Sequence, residues 1–349
     1  MAYQNVGTPR FYVNVLEWLA SNMKLTGYSG GGDTPIDYFD NHFRTLPVNV
    51  EPPFERIRYD IPAGVLNEKS FFAILGLSRT ASSMTIPVGN GWEFVSNHQE
   101  SSPIINCNNL GGQWYGDYDG FAIGSFPGAG YNDEGDFVYI PSIGMRFDDV
   151  SEIGSVVLGT YYDMPHSPDL KLTLTREYGG IKHIETKGGA SLSNAFYTKP
   201  PAWGELGAWE LSGQAPDGYV PTYTKELSRS GRRVWDLSFS YLDDGDVFGS
   251  NQSLARYEWT SQDVSVYGED LGLTVHSVQN AFAYNILTDD NFYSQVIHKT
   301  NGGQLPFIFQ PDSSDNTNFA ICKLDMNSFK FDQVANGVYN MKLKIREVW

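Results

Sequence analysis

The stretch of this sequence best suited to ligand binding is WYGDYDGF, residues 114–121, where aromatic and acidic side chains are interleaved. Aromatic rings stack on the C–H faces of sugars, and carboxylates accept hydrogen bonds from sugar hydroxyls. The candidate glycan-binding residues are Trp114, Tyr115, Asp117, Tyr118 and Asp119. The alternative interpretation is a β-hairpin whose aromatic residues pack in a core around an Asp-Gly turn.

Two groups of cations stand out in a chain whose formal net charge is −17. The first, in SRSGRRVWDLSFSYL (228–242), directly precedes an apolar strand, and the second lies in the terminal segment GVYNMKLKIREVW (337–349). Such cations can contact an acidic surface on a neighbouring molecule, although those of the first group could equally be a solvated strand entry. The candidate interface residues are Arg229, Arg232, Arg233, Lys342, Lys344, Arg346 and Trp349.

Catalytic signatures are not found in the sequence. It contains no GxSxG, HExxH, GxxxxGK[ST], GxGxxG or CxxC motif, and no two of its six histidines have a spacing of two or four residues. The acidic clusters at 117–120 and 243–246 lack the full calcium-loop pattern and are typical of turns. We therefore predict no enzyme activity, no cofactor and no metal, with a glycan-degrading pair of carboxylates as a remaining alternative.

The amino-acid composition limits which molecules this chain can bind and in which cellular compartment it is expected. An acidic chain cannot release phosphate counterions or bind anionic lipids well, so we expect neither nucleic-acid nor membrane binding. Cys107 and Cys322 fit no zinc spacing and are expected to be free thiols, although a single disulfide is the alternative. The N-terminus is a poor signal peptide, and the apolar run at 71–77 is too short to cross a bilayer.

The elements that would position these residues are mostly strands. Alternation of apolar and polar residues predicts half-buried strands at 56–61, 169–175 and 234–241, the last with Trp235, Leu237, Phe239 and Tyr241 on one face. Short strands separated by Gly-rich and Asp-Gly turns predict a mainly β fold of the sandwich or barrel type. The Gly/Pro-rich segment 200–225 is the best candidate for a boundary between a β-rich N-terminal domain, 1–205, and a C-terminal domain, 206–349, although it could equally be a long loop between sheets.

Only two helices are predicted. The first runs from about Tyr12 to Met23, where apolar residues have helical spacing. The second runs from Asp289 to Lys299, capped by Thr288 or Asp289 and ended by Gly302-Gly303. Its residues Phe292, Val296 and Ile297 should face a sheet.

The register of the last hairpin can also be predicted. A two-residue Asn-Gly turn would place Phe331 opposite Lys342 and mix cationic with aromatic side chains on one face. A three-residue loop, with Gly337 in the left-handed conformation and a bulge, instead pairs Phe331 with Met341, Phe329 with Leu343 and Gln333 with Tyr339. This register keeps one face apolar. The opposite face is then basic and carries Lys330, Lys342, Lys344 and Arg346.

The C-terminal part resembles the tail proteins of tailed bacteriophages, of the distal-tail and baseplate-hub group. The resemblance covers about residues 225–349 and lies in the order RRVWDLSFSYLDDGDVF, NFYSQVIHKTNGG, LPFIFQPD and a terminal hairpin that ends in an aromatic. It implies that residues 206–349 form a tail-tube-like β-sandwich flanked by one helix, which serves as an oligomerisation module, and a jelly-roll-like domain would fit residues 1–205. It further implies a structural virion protein, assembled in the host cytoplasm, whose partners are copies of itself in a ring and other tail proteins. A host glycan is a further possible partner, and the main alternative function is a lectin-like carbohydrate-binding β-sandwich.

Overall fold

The computed structural model describes a mainly β protein with a few short helices, which confirms the predicted fold class. Whether its sheets form a sandwich or a barrel, and whether the C-terminal part is tail-tube-like, stay predictions. The structure describes residues 6–22, 26–29, 48–49, 54–62, 64–77, 84–85, 104–105, 120–126, 128–131, 137–139, 142–147, 152–153, 155–170, 173–178, 182–193, 231–248, 289–315 and 318–348.

The described part of the chain contains strands throughout its length. Those before residue 150 are β1 Arg10–Asn14, β2 Thr26–Ser29, β3 Val48–Asn49, β4 Phe54–Asp60, β5 Ser70–Leu77, β6 Met84–Thr85, β7 Ile104–Ile105, β8 Gly120–Phe126, β9 Ala129–Tyr131, β10 Phe137–Tyr139 and β11 Ser142–Phe147. The later ones are β12 Glu152–Ile153, β13 Ser155–Asp163, β14 Thr173–Glu177, β15 His183–Glu185, β16 Ser191–Ser193, β17 Arg232–Asp243, β18 Phe307–Gln310, β19 Ala320–Leu324, β20 Phe331–Ala335 and β21 Val338–Glu347.

Ten of these strands form one sheet, in the order β14-β17-β21-β19-β18-β1-β13-β5-β8, with β20 also paired to β21. Neighbouring strands in it are antiparallel. The sheet contains strands from both sides of the predicted boundary at 205, so that boundary does not separate two sheets. The remaining described strands form a five-stranded sheet, β2-β4-β11-β6-β7, and three two-stranded pairs.

The large sheet buries apolar side chains on both faces. Along β1, Phe11 and Val13 belong to one core cluster, which also contains the inward residues of β17 and β21. Tyr12 points to the other side, into a second cluster with Phe71 and Val157. We call the side of the first cluster the inner face, and the opposite side the outer face. Such alternation follows from the two-residue period of a strand.

The first predicted helix begins later than expected. Residues Tyr12 to Asn14 lie in β1, and helix α1 covers Val15–Ser21. The Oδ1 atom of Asn14 accepts a hydrogen bond from the backbone N–H of Glu17 at 3.4 Å, which marks Asn14 as the residue that caps the helix. The prediction was wrong at Tyr12 because aromatic pairing within the sheet outweighs the helical spacing of the residues that follow.

The second predicted helix is present and confirmed in its orientation. It consists of a π-helical turn, Tyr293–Ile297, followed by a 3₁₀ turn, His298–Thr300, and we call it the π–3₁₀ helix. Its residues Phe292, Val296 and Ile297 are buried against the inner face. At its start the Oδ1 atom of Asn291 accepts a hydrogen bond from the Ser294 N–H at 2.9 Å, while Thr288, one of the two predicted caps, lies outside the described residues.

The register of the last hairpin agrees with the prediction at the pairs that the structure forms. Phe331 lies opposite Met341, Gln333 lies opposite Tyr339, and Gly337 has a φ of 68°. The predicted three-residue loop was wrong: the turn between Ala335 and Val338 has two residues, and a bulge at Val334 sets the predicted register. Phe329 precedes β20, so it is not paired with Leu343, but its side chain still packs against the inner-face core.

Two apolar residues predicted to face the core are exposed instead. A bulge in β17 between Phe239 and Leu242 brings Leu242 to the inner face and leaves Tyr241 78% exposed. Leu170 precedes β14, which begins at Thr173, and its side chain is fully exposed at 100%. The short helix α2, Asp244–Val247, follows the bulge where a turn was predicted.

Candidate functional site

The outer face of β21 carries the cationic row that the register predicts. Lys342 is exposed and Lys344 and Arg346 are half-buried, whereas Met341, Leu343 and Ile345 point into the core. The strand alternates in this way because the apolar residues bury and the long cationic chains reach water. β21 is an interior strand, flanked by β17 on one edge and by β19 and β20 on the other.

Acidic side chains from neighbouring segments partly neutralise this row. The Arg346 guanidinium lies 3.1 Å from Glu177 of β14 and 3.4 Å from Asp325, and Lys344 Nζ also lies 3.4 Å from Asp325. Asp236 is opposite Lys344 on β17. These half-exposed pairs are each worth only about 0–1 kcal/mol. Lys342 lies opposite Ser238 and forms no ion pair within the part of the chain that the structure describes.

Arg233 is not part of this surface, and its assignment as an interface residue is corrected. It is only 7% exposed and lies on the inner face of β17. Its Nε and Nη2 atoms donate to the two carboxylate oxygens of Glu347 at 3.1 and 2.9 Å, and its guanidinium lies 5.2 Å from the Trp235 ring centre. Further bonds run from Nη1 to the Asn318 side chain and from Nη2 to the Phe319 carbonyl. This buried pair joins β17 to the end of β21.

The other predicted site residues have different placements. Arg232 lies on the outer face of β17, opposite Glu177 of β14, and is half-buried. Lys330 is exposed and lies 2.8 Å from Asp332. Arg229, Trp349 and the glycan candidates Trp114, Tyr115, Asp117, Tyr118 and Asp119 lie outside the described residues, so their roles stay predictions.

The exposed side chains of Leu170 and Tyr241 lie near one end of β17, and we call these two residues the Tyr241 patch. The two residues are held near each other through Asp169, whose N–H donates to the Ser238 carbonyl and whose carboxylate accepts from Ser240, each at 2.8 Å. Tyr241 has a φ of 63°, a conformation that non-glycine residues rarely adopt. Its N–H donates to the Asn340 side chain at 3.1 Å, which fixes the bulge.

A fully buried lysine is the strongest candidate for acid–base chemistry among the described residues. Lys299 Nζ donates to the Gln295 side chain at 2.7 Å, the Val65 carbonyl at 3.0 Å and the Thr160 hydroxyl at 3.3 Å. Burial lowers the pKa of Lys299 to about 7, and Asp290 opposes this shift. These three hydrogen bonds use all three N–H donors of the ammonium group. The arrangement therefore joins the π–3₁₀ helix to β13 rather than presenting a base to a substrate.

The described part of the chain adds no metal or redox site. No group of three or more potential ligands is found within it, and none of its helices is both long and apolar enough to cross a membrane. Cys322 is a buried free thiol, and burial raises its pKa above the usual range, so it is poorly reactive. Cys107 lies outside the described residues.

Sequence patterns missed the Tyr241 patch because alternation alone cannot locate a bulge. The signal that was available is SYLDDG at 240–245, where a strand runs into acidic capping residues. Glu347 was missed as the partner of Arg233 because pairing across strands depends on register. The exposure of Tyr241 and the Arg233–Glu347 pair both depend on how β17 pairs with β21.

Comparisons of the whole chain with known protein families, with curated proteins and with solved structures found no match.

Proposed function

We propose that this chain is a structural protein that assembles with copies of itself, using the outer face of β14, β17 and β21 as part of the contact between subunits. The resemblance of residues 225–349 to tail proteins of tailed bacteriophages extends the proposal to a ring in the phage tail or baseplate. Its neighbours would then be other tail proteins, and its location the virion. The role requires no catalytic group or cofactor.

The observation that carries the proposal is the cationic row of Lys342, Lys344 and Arg346 on a chain of net charge −17. A cationic row on a sheet face will attract the acidic surface that dominates the rest of an identical molecule. The acids beside the row form exposed ion pairs with Lys344 and Arg346 and leave Lys342 without an ion-pair partner among the described residues. Association through such a face is a contact between unlike surfaces, which closes into a ring when the rotation between subunits is right.

The proposal is tested on the full chain by light scattering after size-exclusion chromatography, together with negative-stain microscopy. We expect oligomers of one fixed size and rings of constant diameter, weakened when salt is raised because the attraction is screened. A chain that stays monomeric at high concentration and low salt, and in the presence of the other tail components, would overturn the proposal.

The residue that tests the face most cleanly is Lys342. Lys342→Glu reverses a charge that has no ion-pair partner among the described residues, so it should weaken assembly without changing the thermal stability of the subunit. Lys342→Arg is the matched control and should assemble normally. Equal assembly of the two variants would exclude this face from the contact.

A further inference from the structure

The hairpin formed by β15 and β16 is a two-stranded element that is exposed over most of its length. Its strands pair with each other, and His183 to Leu192 are all exposed. A single two-stranded hairpin is at best marginally stable in water. The turn is well formed, with Gly189 at a φ of 81° and the Thr186 N–H donating to the Ala190 carbonyl at 2.8 Å. An ordered but uncovered hairpin is typical of an arm that another molecule covers.

One side of this arm is apolar. Ile184 and Leu192 lie directly opposite each other, and Ile184 is 63% exposed. Around them the arm carries Lys187, the acid Glu185, and Lys182, which already has an interaction partner. The arm thus offers an apolar pair with one available lysine beside it, on a strongly acidic chain.

The Tyr241 patch has the complementary character. Tyr241 and Leu170 are the two most exposed large apolar side chains of the described residues. Two acids lie close to them and form what we call the acidic rim: Asp169 is hydrogen-bonded to Ser240, and Asp243 lies two residues after Tyr241 on β17. An apolar pair with an acidic rim matches an apolar pair that has a lysine beside it.

Resting on the proposed self-assembly, we propose that the arm of one subunit docks on the Tyr241 patch of a second copy. Ile184 and Leu192 then pack against Leu170 and Tyr241, while Lys187 approaches the acidic rim. The contact joins two different surfaces of the same chain, so each subunit donates one arm and accepts another. Repetition of this contact around an axis gives a ring. The unusual backbone of Tyr241 serves to hold its ring out toward the neighbour.

Cysteine cross-linking between separately purified variants tests this contact. A mixture of Ile184→Cys and Tyr241→Cys chains should give a disulfide-linked dimer under mild oxidation, whereas either variant alone should give much less. The matched control mixes Ile184→Cys with Glu68→Cys, an exposed position just before β5 and several strands away from β17. That mixture should not cross-link above background. The unsubstituted chain corrects for Cys107 and Cys322.

Assembly measurements on a second set of variants complete the test. Ile184→Asp and Tyr241→Asp should each weaken self-association about tenfold or more, since a charge replaces an apolar anchor at an interface. Lys187→Glu should weaken it less, and Lys187→Arg should not. Circular dichroism should show an unchanged fold, because all three positions are exposed.

The failures of the two proposals are distinguishable. If rings form normally with Ile184→Asp and the mixed variants do not cross-link, the arm contact is wrong and the proposed self-assembly stands. If the chain carrying both cysteines links only within itself, the arm folds onto its own subunit and the inference is overturned. If all variants and the native chain are monomeric, the proposed function fails together with the arm contact.

Discussion

Arg233 and Arg346 lie on opposite faces of the β17–β21 pair, and each forms an ion pair. The Arg233–Glu347 pair is buried, with side-chain exposures of 8% and 3%, and is completed by bonds to Asn318 and Phe319. The Arg346–Glu177 pair is open to water, with exposures of 38% and 35%. The same two side-chain types therefore join strands on one face and form a polar surface on the other.

The difference shows which cations are free to serve a partner. A buried, hydrogen-bonded pair is costly to break, because removing one partner leaves a desolvated charge. An exposed pair exchanges easily with water or with a carboxylate of another molecule. We therefore assign Arg233 to the fold, and the proposed function gives the β21 row to assembly; four changes test that division.

The largest effect is expected for Glu347→Ala. It leaves Arg233 buried without its counter-charge, and we expect the free energy of unfolding to fall by about 3–5 kcal/mol. Urea denaturation followed by tryptophan fluorescence measures it. The double variant Arg233→Met/Glu347→Leu, which removes both charges, should recover much of the loss. A double variant as unstable as the single one would show that packing, rather than the unpaired charge, dominates.

Lys299, the second buried cation, should make stability depend on pH. Its pKa is lowered to about 7 by burial, with Asp290 opposing, so between pH 7 and the unfolded value of about 10.4 the unfolded state binds more protons. The free energy of unfolding then rises with pH in that window. From pH 7 to 8.5 the native chain should gain about 1–2 kcal/mol relative to Lys299→Met, which cannot titrate.

This comparison with Lys299→Met is needed because other groups titrate in the opposite sense. Burial raises the pKa values of Tyr12, Tyr162 and Cys322, so deprotonation of the unfolded state above about pH 8.5 lowers stability. Their contribution is common to both chains and cancels in the difference. An identical pH dependence of the two chains would mean that Lys299 does not titrate in this range.

Sequence reasoning worked where one period governs a segment and failed where tertiary structure interrupts it. The alternation of β20 and β21 predicted two observed pairs, Phe331–Met341 and Gln333–Tyr339, because a shift by one residue would expose the apolar face. The same alternation placed Tyr241 inside, and the β17 bulge reversed it. The burial of Arg233 could not be predicted either, since it depends on Glu347, 114 residues away in the chain.

The third change addresses the backbone of Tyr241. Its φ of 63° costs a residue with a Cβ roughly 1 kcal/mol, and glycine avoids that cost. Tyr241→Gly should therefore be more stable than Tyr241→Ala by about 1 kcal/mol, although both lose the ring and both should weaken assembly. Thermal unfolding and light scattering on the two variants separate backbone strain from subunit contact. A Gly variant no more stable than the Ala variant would remove the argument that the bulge is strained.

The smallest effect on the subunit is expected for Glu177→Gln. It removes the carboxylate 3.1 Å from Arg346, but both groups are more than one third exposed, so the loss of stability should stay below about 1 kcal/mol. Glu177→Gln should strengthen assembly, whereas Lys342→Glu should weaken it. The outer face becomes more cationic and therefore attracts the acidic surface of a second copy more strongly. Parallel unfolding and sedimentation measurements at low salt would detect both effects. A loss of stability as large as that of Glu347→Ala would erase the distinction between the two faces, since it would make the exposed pair as structural as the buried one.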